Sequence, residues 1–274
     1  MHMINQIPSY FRLLSLDVVL GACVSTLFVA KYLKVDLPLM VAVALGVAVW
    51  IIYTFDHLLD GQKTQGLPLT LRHQFHQRNS KKLYIAVIFM SIFGLGVIIQ
   101  LPWQVINSGL WLVLVIIVYF FGLKLIGSRP SFYKEPLVAL AYAIGVFLGP
   151  MSVMETIEVT VVLPLFLIYA LLALVNLLVF SVYEVEIDEQ DEHTSLVRLL
   201  GVRMVNHIIW TCFIGILGLL TYKLLSRFDL ILIVIALMAL ALLLIHSFKV
   251  FFKRNEWYRI VGDAVFYFPV IALI

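Results

Sequence analysis

Residues 160–192 read TVVLPLFLIYALLALVNLLVFSVYEVEIDEQDE, and this stretch decides what kind of protein the chain is. Residues 160–182 hold no charged side chain, and a membrane-crossing helix needs about 20 predominantly apolar residues. The run is continuous rather than alternating at every second residue, so it reads as a helix and not as a barrel strand. It then meets Glu184, Glu186, Asp188, Glu189, Asp191 and Glu192 within a few residues.

The remainder of the 274 residues repeats the first half of that pattern. Hydrophobic residues make up 63% and charged residues only 13%, with a mean hydropathy of +1.05, whereas a soluble domain carries about 25% charged residues. The surplus apolar surface must face lipid, where only helices or closed barrels satisfy the backbone. Candidate spans are 13–33, 37–57, 83–102, 108–126, 136–153, 160–182, 203–224, 229–248 and 257–274. The expectation is an all-α polytopic membrane protein of about nine transmembrane helices, one membrane-embedded domain over 1–274. The first apolar run lacks a small-residue cleavage site after it and reads as a retained span. A net charge of +3 calls for no nucleic-acid partner, and Cys23 and Cys212 lie inside apolar runs, where neither a disulfide nor a metal site is expected.

Orientation follows the Lys/Arg distribution. With nine spans, only Lys31, Lys34, Lys223 and Arg227 of the 19 Lys and Arg fall on the face opposite the long loops 60–82 and 184–202. Both loops, the N-terminus and the 249–259 connector are therefore expected in the cytoplasm, with the protein in the cell's inner membrane.

Asp56 and Asp60, in WIIYTFDHLLDG, end the second span. Four residues apart on a helix, they share one face with Cβ atoms about 5–6 Å apart. Two acids at a helix C-terminus repel each other and oppose the helix dipole, so something must offset the cost. A divalent cation such as Mg²⁺ would do so, since it takes one or two carboxylates, several waters and phosphate oxygens. Glu184 and Asp188 repeat the spacing at the end of the sixth span. The plainer reading is that these acids are solvated helix ends, and it fits Glu189 and Glu192 best. Lys63, Arg72, His73, His76 and Arg78, with Arg129 and Lys134 in GSRPSFYKEP, accompany the acids. Positive-inside topology alone would place basic residues there. Carboxylates beside Arg and Lys are also what gripping a diphosphate through Mg²⁺ requires. His73 and His76 have no third ligand of suitable spacing, which speaks against a transition-metal site.

At these residues the chain resembles the UbiA superfamily of intramembrane prenyltransferases, which have nine helices and two Asp-rich motifs ending the second and sixth. Asp56 and Asp60 match the last two acids of the first motif, and Glu184, Glu186 and Asp188 match the second. TSLVRLLG and YKEPLVALAYAIG are similar to the segments that follow the second motif and open the fifth helix. The sequence departs from the family pattern at Ile52 and Tyr53, at Phe180 and Ser181, and at Glu184, which stands in place of Asp. The resemblance implies a UbiA-like bundle with a cytoplasm-facing central cavity, and Asp56, Asp60, Glu184 and Asp188 as catalytic metal ligands for Mg²⁺. It also implies a substrate site drawn from Lys63, Arg72, Arg129, Lys134, Tyr53, Asn176 and Tyr183. The implied reaction moves an isoprenyl group from an isoprenyl diphosphate to a hydrophobic acceptor, aromatic or lipid, within the membrane, and the implied partners include membrane lipid. Tyr119, Tyr142, Tyr169 and Tyr183 are available to line an apolar cavity for the allylic cation. Three rivals stay open: a UbiA-like terpene cyclase, a non-catalytic lipid-diphosphate binder, and a secondary transporter built on Asp17, Asn176, Asn206, His207 and Asp263.

Overall fold

Without water to bond to, every backbone N–H and C=O in the hydrocarbon must be satisfied within the protein. The computed structural model meets that demand with helices and, among the described residues, no strand. It describes residues 7–63, 71–126, 134–190, 195–226 and 229–274. Arg129 lies outside them, as do the side chains of Asp60, Lys63, His73 and Tyr119.

The helices are α1 (Ile7–Leu13), α2 (Leu16–Leu33), α3 (Leu39–Lys63), α4 (Leu71–Arg78), α5 (Ser80–Ile98), α6 (Trp103–Ile126), α7 (Lys134–Ser152), α8 (Val159–Gln190), α9 (Leu196–Ser226), α10 (Leu230–Ser247), α11 (Lys249–Lys253), α12 (Trp257–Ala264) and α13 (Val270–Leu273). Single 3₁₀ turns at Arg254–Glu256 and Val265–Tyr267 flank α12. Helix ends follow local chemistry. At the end of α2, Lys34 takes a left-handed φ of 56°. Its N–H reaches Lys31 O and the Val35 N–H reaches Ala30 O, at 3.2 and 2.9 Å, the double bond of a Schellman motif. Asp229 caps α10 through the Ile231 N–H at 3.0 Å. Gly201 bends α9 with a φ of 79°, a conformation open to glycine but not to residues with a Cβ.

Two prolines inside helices are accommodated by donors from neighbouring helices. Pro150 in α7 cannot donate to the carbonyl of Val146, and Thr26 Oγ1 of α2 donates there instead at 2.8 Å. Pro164 in α8 leaves the Thr160 carbonyl free, and Lys223 Nζ of α9 donates to it at 3.4 Å.

A helix apolar on every side is a buried one. α8 fits that rule: Leu165, Ile168, Tyr169, Leu172, Val175 and Leu178 are all essentially inaccessible, and it packs against α7, α9, α10 and α12. α5 and α6 instead turn Ile85, Ile88, Phe89, Ile92, Trp111 and Val115 outward, where lipid would cover them. The C-terminal segment folds back on α2, closing the bundle. Tyr53 and Tyr142 are near each other within the bundle, and each stays half-buried.

Each of the first eight expected spans overlaps a helix, but the ninth does not form as expected. Residues 257–274 form α12, a 3₁₀ turn and α13 in succession, with Pro269 removing a donor before α13, while Asn255 and Glu256 at left-handed φ separate this segment from α11. By length and hydropathy, six described helices can each cross a bilayer, and the pair 231–247 and 249–273, bent by 88°, adds a seventh if taken as one span. The described lengths alone do not reach nine. The chain is nevertheless an all-helical integral membrane protein.

Candidate functional site

Consecutive long helices joined by short connectors run antiparallel, so the ends of α3 and α8 meet the starts of α2, α7 and α9. A group of charged side chains forms there among membrane helices. Arg259 of α12 grips Glu184 of α8 through both carboxylate oxygens, Nε to Oε1 at 2.5 Å and Nη2 to Oε2 at 2.6 Å. Tyr258 donates to the same Oε1 at 2.9 Å. The pair is largely buried, with side chains 17% and 12% exposed. Tyr258 also stacks flat on Tyr183, centroids 4.3 Å apart, and the Tyr183 hydroxyl donates to Ile245 O of α10 at 2.7 Å.

Next to this pair stand Asp17 of α2 and Asp263 of α12, each other's neighbours and both neighbours of Arg72. Asp17 is 4% exposed. Its Oδ1 accepts the Val18 N–H at 2.9 Å, and its Oδ2 finds no donor among the described residues. Arg72, on α4 outside the spans, feels all of them. Burial and then the adjacent Arg259 push its pKa below the ordinary arginine value, while Asp263, Asp17 and Glu184 pull the other way. Tyr53 lies within electrostatic reach of Asp263, Asp56, Arg72 and Asp17, which ties the end of α3 to the same group. His57 meets His76 edge-to-face at 5.0 Å. His76 donates from Nδ1 to Arg72 O at 2.9 Å, and burial lowers its pKa.

The expected site residues divide accordingly. Tyr53, Asp56, Arg72 and Glu184 come together, and Tyr183 packs beneath them. Asp188 lies within reach of Glu184, Lys134 and Arg259. Glu186 points the other way and makes an exposed ion pair with Lys253 at 3.5 Å. Asn176 sits deeper, its Oδ1 against Gly262 of α12. Lys134 opens α7 beside Glu135, whose buried Oε1 accepts the Leu196 N–H at 2.7 Å and so caps α9. Asp60 and Lys63 are placed only by their helical backbone in α3.

Glu184, an expected metal ligand, has both carboxylate oxygens bonded to the Arg259 guanidinium in this structure. Among the described residues no three His, Cys, Asp or Glu groups gather into a metal site; the side chain of Asp60, one of the four expected carboxylates, lies outside them. Sequence reasoning counted Arg259 only among the charges that set orientation, passed over Tyr258, and met Asp17 and Asp263 only as acids a transporter could use. The available signal was WYRIVGDA, 257–264, in which Arg259 and Asp263 stand four apart on one face of a short amphipathic helix.

The overall arrangement is similar to the apo structure of a UbiA homolog from Aeropyrum pernix K1. The match covers 94% of this chain and 98% of that one, with a TM-score of 0.67 and 12% sequence identity. This chain has a UbiA-type fold. No protein-family model and no curated protein matches the sequence. In the UbiA-type frame, both acidic segments end long helices, α3 and α8, at the end where Arg72 and Arg259 converge.

Proposed function

We propose that this chain is an intramembrane prenyltransferase of UbiA type, taking an isoprenyl diphosphate and passing its isoprenyl group to an aromatic or other hydrophobic acceptor. What supports it is the UbiA-type fold together with the meeting of Asp56, Arg72, Arg259 and Lys134 around the ends of α3 and α8. The Lys/Arg bias favours a cytoplasmic position for this end, in a protein of the inner membrane on this reading.

Each residue has a role in that reaction. Departing pyrophosphate carries negative charge that fixed cations stabilise as it develops. Arg72 on α4 and Lys134 at the start of α7 supply that charge. The allylic cation left behind needs a dry interior with aromatic faces. Tyr53 and Tyr142, neighbours and both half-buried, are placed to offer such faces. α3 stays helical through Lys63, so Asp56 and Asp60 remain one turn apart and suit a single Mg²⁺. Bound there, the ion would neutralise diphosphate charge.

The pairing of Glu184 with Arg259 also favours a second reading, a non-catalytic lipid-diphosphate binder. One experiment separates them. Purified protein in lipid is given isoprenyl diphosphates of several chain lengths, with and without acceptor, and pyrophosphate release is followed with and without Mg²⁺. We expect Mg²⁺-dependent release that Asp56→Asn abolishes and Glu189→Gln leaves intact. Binding of a lipid diphosphate without release would establish the silent binder, and cyclised product without acceptor would establish a cyclase. Full turnover in Asp56→Asn would remove Asp56 from the mechanism.

A further inference from the structure

Glu184 stands where the resemblance places a metal ligand, yet its carboxylate is held by a fork of two guanidinium nitrogens, at 2.5 and 2.6 Å, and by the Tyr258 hydroxyl. This is no loose surface contact. Both partners are largely buried, the Tyr183–Tyr258 stack flanks them, and α12 is seated so tightly on α8 that Gly262 touches Phe180 and Asn176. Planar two-point pairing of this kind is the geometry that arginine offers a carboxylate and lysine does not.

A divalent ion arriving at Glu184 would have to displace Arg259. It would leave that guanidinium buried without its carboxylate and set two further positive charges beside Arg259 and its neighbour Arg72. Attraction to one carboxylate does not offset the loss of a buried pair plus repulsion from two cations. We propose that Arg259 is a built-in cation at the second acidic segment: Glu184 binds no metal, and the Arg259 and Arg72 guanidiniums are what this side of the site presents to a phosphate anion. The phosphate clause rests on the function proposed above; the metal clause does not.

The test uses the full chain purified in detergent, without lipid substrate. Mn²⁺ binding is measured by titration calorimetry and by the electron-spin signal of free Mn²⁺, for the parent, Glu184→Gln and the double variant Glu184→Gln/Arg259→Gln. The double variant leaves a neutral amide pair and keeps the test open if the single change unfolds the protein. The expected result is the same Mn²⁺ stoichiometry in all three, with affinities within about twofold. Loss of one Mn²⁺ equivalent, or weakening of tenfold or more, in either variant would overturn the proposal. In a second arm, inorganic pyrophosphate without divalent metal should bind the parent at least tenfold more tightly than the double variant. Equal binding by both overturns the phosphate clause. If the parent binds no pyrophosphate with or without Mg²⁺, that clause and the proposed function both fall, while the Mn²⁺ count still judges the pairing.

Discussion

Replacing Gly262 by alanine should loosen the C-terminal segment that carries Arg259 and Asp263. A Cβ at position 262 would lie 2.5 and 2.7 Å from two carbons of the Phe180 ring and 2.8 Å from Asn176 Oδ1. Comfortable carbon–carbon contact is about 3.5–4.0 Å, so α12 must retreat from α8 by about 1 Å or Phe180 must leave its place. Both sit in a packed interior, and overpacking of this order costs about 1–3 kcal/mol. For a chain of this size each kcal/mol lowers Tm by about 2–4 °C, so thermal unfolding of the purified protein should come about 2–12 °C earlier. Gly218→Ala in α9 is the matched control. No atom lies within 4 Å of its Cβ, and alanine is the better helix former by about 0.5–1 kcal/mol. A Gly262→Ala protein as stable as the Gly218→Ala control would show that α12 is not seated on α8, and the Arg259–Glu184 pair would lose its structural basis.

Three further outcomes follow from other contacts. Thr26→Val keeps the shape of the side chain but strips the Val146 carbonyl, already denied a donor by Pro150, of the Thr26 hydroxyl at 2.8 Å; a buried carbonyl left unmet costs about 1–3 kcal/mol, read as an earlier thermal transition, and unchanged stability would refute the account. His76 is fully buried and its pKa is lowered from 6.5 by burial. Its contribution to stability is therefore complete above about pH 6.5 and is lost as pH falls below it, because the unfolded chain takes up the proton first; His76→Phe should flatten that acid-side slope in a Tm–pH series. Cysteines placed singly in 60–82, 184–202 and 249–259 should all react with an impermeant thiol reagent from the cytoplasmic side, and labelling of 60–82 and 184–202 from opposite sides would end the common-site reading.

Much of the architecture is legible along the chain because a membrane span is a local property. Residues 160–182 are apolar on every side, and they become the central helix α8 with no information from elsewhere in the sequence. The same locality explains the misreading at 257–274. Apolar content there suggested one more straight span, but the 3₁₀ turn at Val265–Tyr267 and the donor-less Pro269 interrupt it, and hydropathy is blind to backbone hydrogen bonding.

The sequence by itself determined that the protein lives in a membrane, that its long helices end in two acidic segments, and that basic residues keep those segments company. Only the tertiary structure decided which charge faces which. Glu184 reads the same on paper whether it awaits a metal or a guanidinium. Its partner is Arg259, 75 residues further along the chain, delivered by a short helix after an 88° bend. Asp17, Arg72 and Asp263 likewise come from α2, α4 and α12 and meet only because the C-terminal segment folds back on α2. The Coulomb energy of a charge depends on its distances through space to other charges and on how much water is excluded between them, and the order of residues along the chain carries neither quantity.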